Sequence, residues 1–201
     1  MYEKFLSVFK VNSNPPPHGG VSDVTTLELL QRFGGCSFNN GVYQILSRQS
    51  AQEVDGQIAL AFPEFSGRVA SFAADWLGRV FAEDPERSEN GGKGIVMFEP
   101  GTAEALEIPC DIVSFHNEEL IDYQEEALAA SFYQQWLQSG GPAPRSGQCV
   151  GYKIPLYLNG QDEIDNLELS DFDVYWHVSS QLIRKTKGIP IGASIDNISI
   201  S

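Results

Sequence analysis

The chain has 201 residues, 42% of them hydrophobic, and a formal net charge of −14. Its length allows one large domain or two small ones, and its 12 Phe, 7 Tyr and 3 Trp can fill a core, which excludes a disordered chain. Because so acidic a protein repels phosphate backbones, we expect no direct contact with nucleic acid and favour a basic protein as its partner.

The sequence shows no mark of export or of membrane insertion. No basic start, apolar core and small-residue cleavage site occur together at the N-terminus, and no apolar run approaches the ~18 residues of a membrane span. Cys36, Cys110 and Cys149 lack the spacing of zinc ligands. We therefore expect a cytoplasmic protein with reduced core cysteines, no membrane contact and no cofactor, although a single disulfide bridge is left open.

The first part of the chain predicts a helix followed by a hairpin. After a proline-rich stretch that ends any preceding helix, Ser22 or Asp23 can cap a helix that Gly34 stops. The segment CSFNNGVYQIL then predicts two strands and a tight turn, because Asn40 and Gly41 readily adopt the positive φ angles of a hairpin.

From Arg68 onward, hydrophobic residues recur closer to every second position, which is typical of strands. RVASFAADWLGRVFAED predicts two strands folded at DWLG, and GKGIVMFEP predicts another. No helix is visible between these strands, although parallel crossovers would need one. We therefore predict an α+β fold with a mainly antiparallel sheet and flanking helices.

The segment LIDYQEEALAASFYQQWLQ predicts one continuous helix. Leu128, Phe132 and Trp136 recur every four residues on its apolar side, and Gln and Glu occupy the opposite side. The helix stops at SGGPAPRSGQ, residues 139–148, whose Gly and Pro content is typical of a linker.

Beyond this linker, CVGYKIPLYL indicates extended structure, and a second helix is predicted to begin near Ser170. Its buried side would be formed by Tyr175, Val178 and Leu182. Gly188 followed by Pro190 would close it.

The stretch LNGQDEIDNLELSDFD, residues 158–173, holds six carboxylates, and no Lys or Arg occurs from 154 to 183. A calcium loop of the EF-hand type is not expected, because Gly160 precedes the acids rather than following them. Helix capping explains Asp171 and Asp173, with Ser170 or Asp171 as the cap.

A second acidic window runs from 94 to 144, where nine carboxylates occur without any Lys or Arg. A solvated, solubilising face is the ordinary explanation of such a run. Two long windows without a compensating base exceed that need, and they favour a surface matched to a cationic partner.

Motifs of known enzyme classes are absent from the sequence: it has no GxSxG, no P-loop, no GxGxxG that opens a helix and no HExxH. Cys36 in GGCSFNNG could be a nucleophile, but a small cysteine beside a strand is more typical of a core. We expect no catalytic residue and no metal ligand, and a hydrolase or metal-dependent enzyme built from the carboxylates is kept as a rival hypothesis.

Two parts of the chain resemble a known family. GYKIPLYLNG, DNLELSDFDVYW and GIPIGASI resemble the C-terminal domain of type VI secretion immunity proteins that protect bacteria from their own DNase effectors. LLQRFGGCSFNNGVYQI and FAADWLGRVFAED are similar to the GAD-like domain that accompanies it. At the level of pattern, the strand-rich middle followed by a helix is also similar to the small α+β immunity folds of the SUKH superfamily.

The resemblance implies a GAD-like region at residues 1–138, a linker at 139–148 and an immunity-family region at 149–201, with packing as one globule left open. It also implies a non-catalytic cytoplasmic protein that neutralises a cognate nuclease toxin; the alternative is an acidic binding module for another basic protein. From charge we place the partner contact on the acids, and aromatic anchors would add affinity, although core packing is favoured for Trp176. The candidate contact residues are Asp162, Glu163, Asp165, Glu168, Tyr157, Phe172 and Trp176.

Overall fold

A six-stranded antiparallel sheet forms the middle layer of the protein, whose computed structural model describes residues 2–12 and 26–188. The strands follow one another in chain order across the sheet. This confirms the predicted α+β fold with a mainly antiparallel sheet. The strands are Ser37–Phe38 (β1), Tyr43–Ile45 (β2), Ala70–Asp75 (β3), Val80–Glu89 (β4), Gly92–Glu99 (β5) and Glu104–Ile108 (β6).

Alternate side chains of the central strands enter two separate cores. Phe81 of β4 faces one core, and its neighbours Val80 and Ala82 face the other. Met97 of β5 lies opposite Phe81 in the register and joins the first core, whereas Phe98 joins the second. Both faces of the sheet are therefore covered, which explains the continuous apolar runs of these strands.

Helices cover the two faces of the sheet. The first core lies beneath α1 and the helical segments between β6 and β7, and α2 packs on β2 and β3. The second core lies beneath α3 and α8, which pack against each other. The helices are Glu3–Val8 (α1), Thr26–Phe33 (α2), Arg48–Ala61 (α3), Ile112–Ser114 (α4), Leu120–Asp122 (α5), Gln124–Leu128 (α6), Ala130–Gln138 (α7) and Phe172–Thr186 (α8), with a π-helical turn at Phe115–Glu119.

The local predictions in the first half are confirmed within the described residues. Gly34 and Gly35 end α2, and the Asn40–Gly41 turn joins β1 to β2 with positive φ at both residues. β3 and β4 pair across the predicted DWLG turn. The proposed caps Ser22 and Asp23 lie outside the described residues.

No prediction covered α3, although its sequence carries the marks of a helix. The Ser47 hydroxyl accepts the backbone N–H of Ser50 and caps the first turn. Ala51, Val54 and Ile58 then recur at helical spacing and are buried against the sheet.

The prediction of one continuous helix over LIDYQEEALAASFYQQWLQ is wrong. The segment breaks into α5, α6 and α7, and Ala129 between the last two adopts a left-handed conformation with φ +47°. Arg79 Nη2 donates to the Ala127 carbonyl at 3.0 Å, and Trp76 Nε1 donates to the Leu128 carbonyl at 2.8 Å. Both carbonyls therefore accept hydrogen bonds from side chains of the turn between β3 and β4 rather than from a continuing helix.

A separate two-stranded hairpin, Gln148–Tyr152 (β7) and Leu167–Asp171 (β8), precedes α8. The Val150 N–H donates to the Trp76 carbonyl at 2.6 Å, and this contact attaches the hairpin to the turn between β3 and β4. Residues of the hairpin enter both cores, Val150 the first and Cys149 the second.

The predicted second helix corresponds to α8, but its buried side is different. Phe172, Trp176 and Ile183 are buried, whereas the predicted Tyr175, Val178 and Leu182 are only half-buried. The helix lies between α3 and β7, so its tightest contacts fall on a line one residue away from the predicted stripe. Gly188 ends α8 as predicted, with φ +84°, and Pro190 lies outside the described residues.

Two further expectations concern cysteines and membranes. Cys36, Cys110 and Cys149 are all buried, which confirms their predicted place in the core, and none of them is in a disulfide bond here. Among the described helices, none has both the length and the apolar character needed to cross a bilayer.

Candidate protein-binding surface

The long loop between β7 and β8 carries Asp162, Glu163 and Asp165, Glu168 lies in β8, and the side chain of Asn166 holds the loop together. Asn166 Nδ2 donates to the Ile154 carbonyl at 2.8 Å and to the Gln161 carbonyl at 2.9 Å, and its Oδ1 accepts the Ile154 N–H at 3.0 Å. One side chain thereby closes the loop across both of its arms. We call β7, β8 and the loop between them the acidic hairpin.

A tight turn at Asn159 and Gly160 reverses the chain inside this loop. Asn159 is left-handed with φ +67°, and the Gly160 N–H donates to the Pro155 carbonyl at 3.0 Å. A Cβ at Gly160 would collide with the Ile154 carbonyl. The glycine that argued against a calcium loop is thus required by the close approach of two backbone segments.

All four predicted acids of the acidic hairpin are exposed: Asp162, Glu163, Asp165 and Glu168. Within the described residues none of them has a salt bridge. The neighbouring Lys153 directs its Nζ to the backbone carbonyl of Asp165 at 2.8 Å. The carboxylates therefore stay unneutralised by the surrounding chain.

Asp162 is the one predicted acid whose carboxylate is held in place. Tyr152, buried at the end of β7, donates its hydroxyl to Asp162 Oδ1 at 2.7 Å. The Tyr152 ring lies against Gly101, 2.8 Å from where a Cβ of that residue would be. The Leu156 N–H donates to the Gly101 carbonyl at 2.8 Å. The acidic hairpin is thereby docked on the turn between β5 and β6.

This docking brings the two acidic windows of the sequence together. Burial raises the pKa of the Glu99 carboxyl, and the Arg79 guanidinium opposes that rise. The carboxylates of Asp75, Glu104 and Asp162 raise the pKa further. Glu99 lies opposite Glu104 in the β5–β6 register, and both belong to the window at 94–144, whereas Asp162 belongs to the stretch at 158–173. Acids far apart in the chain therefore interact electrostatically at this place.

Arg79, the nearby cation, is committed to the fold. Its guanidinium lies 2.6 Å from Asp75 Oδ2, and both side chains are buried. Burial raises the pKa of Asp75, and the charge and hydrogen bonds of Arg79 oppose this rise. Asp75 Oδ1 also accepts the N–H groups of Leu77 and Arg79, which fixes the turn between β3 and β4. The pair therefore stabilises this turn, and its two charges act in opposite directions on the pKa of Glu99.

Two of the three predicted aromatic anchors are buried, and the third is half-buried. Phe172 and Trp176 belong to the second core, with relative exposures of 1% and 0%, and Trp176 Nε1 donates to the Gly78 carbonyl at 2.8 Å. Core packing, the favoured alternative for Trp176, therefore fits both residues, and neither offers surface to a partner in this structure. Tyr157 is half-buried against the same core.

The predicted capping role is clear for Asp171, whereas Asp173 lies in the first turn of α8 without acting as its cap. Asp171 is the N-cap of α8, because its Oδ1 accepts the N–H groups of Asp173 and Val174 at 3.1 and 3.3 Å. Ser170 lies in β8 and is not the cap. The capping box suggested with Ser170 is therefore wrong, because the helix begins one residue later.

Sequence reasoning missed the residues that organise the surface, namely Asn166, Tyr152 and Glu99. The roles of Tyr152 and Glu99 depend on contacts set by the tertiary fold, so no local sequence pattern predicts them. Over residues 2–12 and 26–188, no three His, Cys, Asp or Glu side chains gather as a metal ion would require.

Comparison with other proteins adds one finding about the fold. No protein-family model matches the chain, and no curated protein matches it in sequence. The structure is similar to the crystal structure of Atu4351 from Agrobacterium tumefaciens, with a TM-score of 0.60 over 90% of this chain and 89% of that chain, at 14% identity. At this identity the similarity shows a shared fold alone.

Proposed function

We propose that this protein is an immunity protein that binds and neutralises a cognate type VI secretion nuclease in the cytoplasm, protecting the producing cell and its kin. The observation that carries the proposal is the docking of the acidic hairpin at Gly101, which brings its exposed acids, Asp162 among them, towards the paired strand residues Glu99 and Glu104. The resemblance of the C-terminal segments to DNase immunity proteins supports the choice of partner.

The physical basis is charge complementarity. A DNase holds a polyanion, so its substrate cleft is expected to be basic. An acidic surface attracts such a cleft over a Debye length of about 10 Å at 0.1 M salt and accelerates association. Docking in the cleft would exclude DNA without any chemistry, so the protein needs no catalytic residue.

Co-expression tests the proposal directly. The genes adjacent to this one would be searched for a secreted-type nuclease, which would be produced with and without this chain while survival of the cells and integrity of their DNA are measured. We expect rescue, and we expect an inactivated form of the nuclease to co-purify with the chain. A protein that neither rescues the cells nor co-purifies with the toxin is not its immunity protein.

An acidic binding module for another basic protein remains the second candidate, because the same acids, Glu99, Glu104 and Asp162 among them, would serve it. The two functions differ in one measurement. Binding to a basic protein that is not a nuclease, without rescue from the neighbouring toxin, would favour the module.

A further inference from the structure

The N-terminal halves of α3 and α8 leave a groove of about 420 Å³ between them. Val54 and Trp176 lie at its base, and Val174 forms part of its wall. The carboxylates of Glu53 and Asp173 stand at its rim, one from each helix. The groove thus combines an apolar interior with two exposed acids.

The pairing of α3 with α8 shows what is unusual about these acids. The helices run parallel: Ser180 Oγ donates to Gln57 Oε1 at 2.6 Å, and seven residues further along, just beyond the ends of both helices, Lys187 Nζ lies 3.3 Å from Glu64 Oε2. Each of these pairs joins a donor to an acceptor. At the N-terminal end the facing groups are Glu53 and Asp173, both negative.

The negative charges at this end of the two helices repel each other. The pKa of Asp173 is raised, first by partial burial and then by the negative charges of Glu53 and Asp171. Glu53 has a hydrogen bond from Gln49 Nε2 at 2.9 Å, within its own helix. Among the described residues, neither Glu53 nor Asp173 has a salt bridge. A cation from outside would relieve a repulsion that the fold leaves in place.

The apolar part of the groove selects among cations. Val174 is 59% exposed, the largest exposed fraction of a large hydrophobic side chain among the described residues, and it lies beside the two carboxylates. The methylene stem of Arg or Lys covers apolar surface while its charged head reaches polar groups. The planar guanidinium of Arg can also bind two carboxylates at once, which an ammonium does less well.

We propose that this groove is a docking site for one basic side chain of a protein partner, Arg by preference, with its stem on Val174 and its head between Glu53 and Asp173. The acidic hairpin ends in β8, which continues directly into α8, so a single partner can contact both surfaces. The identification of that partner as the nuclease rests on the proposed function; the chemistry of the groove does not.

A small probe tests the groove by itself. Butylguanidinium chloride would be titrated into the full chain while backbone amide resonances are followed, with butylurea as the uncharged probe of similar shape. We expect saturable shifts centred on Glu53, Val174 and His177 with butylguanidinium and none with butylurea. Shifts spread evenly over all acidic regions, or equal responses to both probes, would overturn the proposal.

A double variant and a matched control locate the effect. Glu53→Gln with Asp173→Asn should weaken butylguanidinium binding by about tenfold, because both charged hydrogen-bond acceptors are lost. Glu118→Gln with Asp122→Asn makes the same charge change at exposed positions in the other helical layer and should leave binding unchanged. Equal weakening in both variants would reduce the site to a net-charge effect and overturn the proposal.

The same variants, measured against the inactivated nuclease, separate the two proposals. We expect the groove variant to bind it about tenfold more weakly than the control does. If both bind with unchanged affinity, the groove is not part of the interface and the immunity function stands. If the unmodified chain does not bind the nuclease while butylguanidinium still occupies the groove, the immunity function fails and the docking site stands.

Discussion

The hydroxyl of Tyr152 donates a 2.7 Å hydrogen bond to Oδ1 of Asp162, and these residues stand at opposite arms of the acidic hairpin. Tyr152 is buried and its ring packs against Gly101, whereas Asp162 is exposed. The bond therefore orients a surface charge from the core. A carboxylate held in this way loses less conformational freedom when a partner binds, which favours affinity.

Replacing Tyr152 with Phe should lower the free energy of unfolding by about 1 kcal/mol, because the variant keeps the packing of the ring and removes the hydroxyl. Urea denaturation would measure the loss. Tyr123, which is 53% exposed, gives the matched control: Tyr123→Phe should change stability by less than about 0.5 kcal/mol. Equal losses in both variants would show that the Tyr152–Asp162 bond contributes nothing.

The cap of α8 gives a second prediction. Asp171→Ala should cost about 1 kcal/mol of stability, since two N–H groups in the first turn lose their acceptor. Asp171→Asn should recover most of it, because Asn is an equally good cap. Ser170→Ala is the control, measured in the same urea titration. A larger loss for Ser170→Ala than for Asp171→Ala would mean that Ser170 is the cap.

The sequence predicted the sheet well because strand periodicity and turn chemistry are local. β4 and β5 bury alternate residues in the two cores, and the DWLG turn lies between β3 and β4 in the chain. The hairpin at Asn40–Gly41 was predicted for the same reason, since its positive φ angles belong to those residues.

The break at Ala129 could not be predicted in this way. Its cause lies about 50 residues earlier in the chain, where Trp76 and Arg79 take the carbonyls of Leu128 and Ala127. Helix α3 is a different case: the Ser47 cap and the spacing of Ala51, Val54 and Ile58 are local, so it could have been predicted.

The candidate site also has one part that could be predicted from the sequence and one part that could not. Exposure of Asp162 and its neighbours follows from composition, because unpaired acids at that density stay in water. Their approach to Glu99 depends on the docking of Leu156 and Tyr152 at Gly101, which only the tertiary fold provides.

His116 should make stability depend on pH. The imidazole is fully buried, its Nδ1–H donates to the Ile112 carbonyl at 2.7 Å, and its Nε2 accepts the Tyr43 hydroxyl at 2.9 Å. Burial lowers the pKa of His116 to about 4, against the opposing effect of the Ile112 bond. The unfolded chain takes up this proton near pH 6.5, so between pH 6.5 and 4 the unfolded state binds more protons than the folded state.

Stability contributed by neutral His116 is therefore complete above pH 6.5 and is lost as pH falls towards 4. From pH 7 to pH 5 the loss should reach about 2 kcal/mol in urea denaturation. His116→Gln removes the titration and should flatten this slope, whereas His177→Gln, at an exposed position of α8, should retain it. Carboxyls with raised pKa, such as Asp75, give the opposite slope, so the difference between the variants is the decisive quantity. Identical slopes for His116→Gln and the unmodified chain would contradict the prediction.

Charge reversal on the acidic hairpin tests the binding surface through rates. Glu163→Lys with Glu168→Lys should slow association with the nuclease on the order of tenfold at low salt and flatten the salt dependence of the rate, since steering acts through long-range charge. Both side chains are exposed and have no salt bridge among the described residues, so the fold should be unaffected. Stopped-flow mixing at low and high salt would measure the rates.

The control for this reversal carries the same charge change at another place. Glu118→Lys with Glu126→Lys alters exposed acids in the helical layer over the first core. If steering comes from the position of the charges, the control slows association far less than the hairpin variant does. If the two variants slow it equally, net charge alone drives the encounter, and the hairpin has no special place in the interface. A difference that vanishes at high salt would identify the hairpin as the steering surface, because screening removes long-range attraction and leaves short-range contacts almost unchanged.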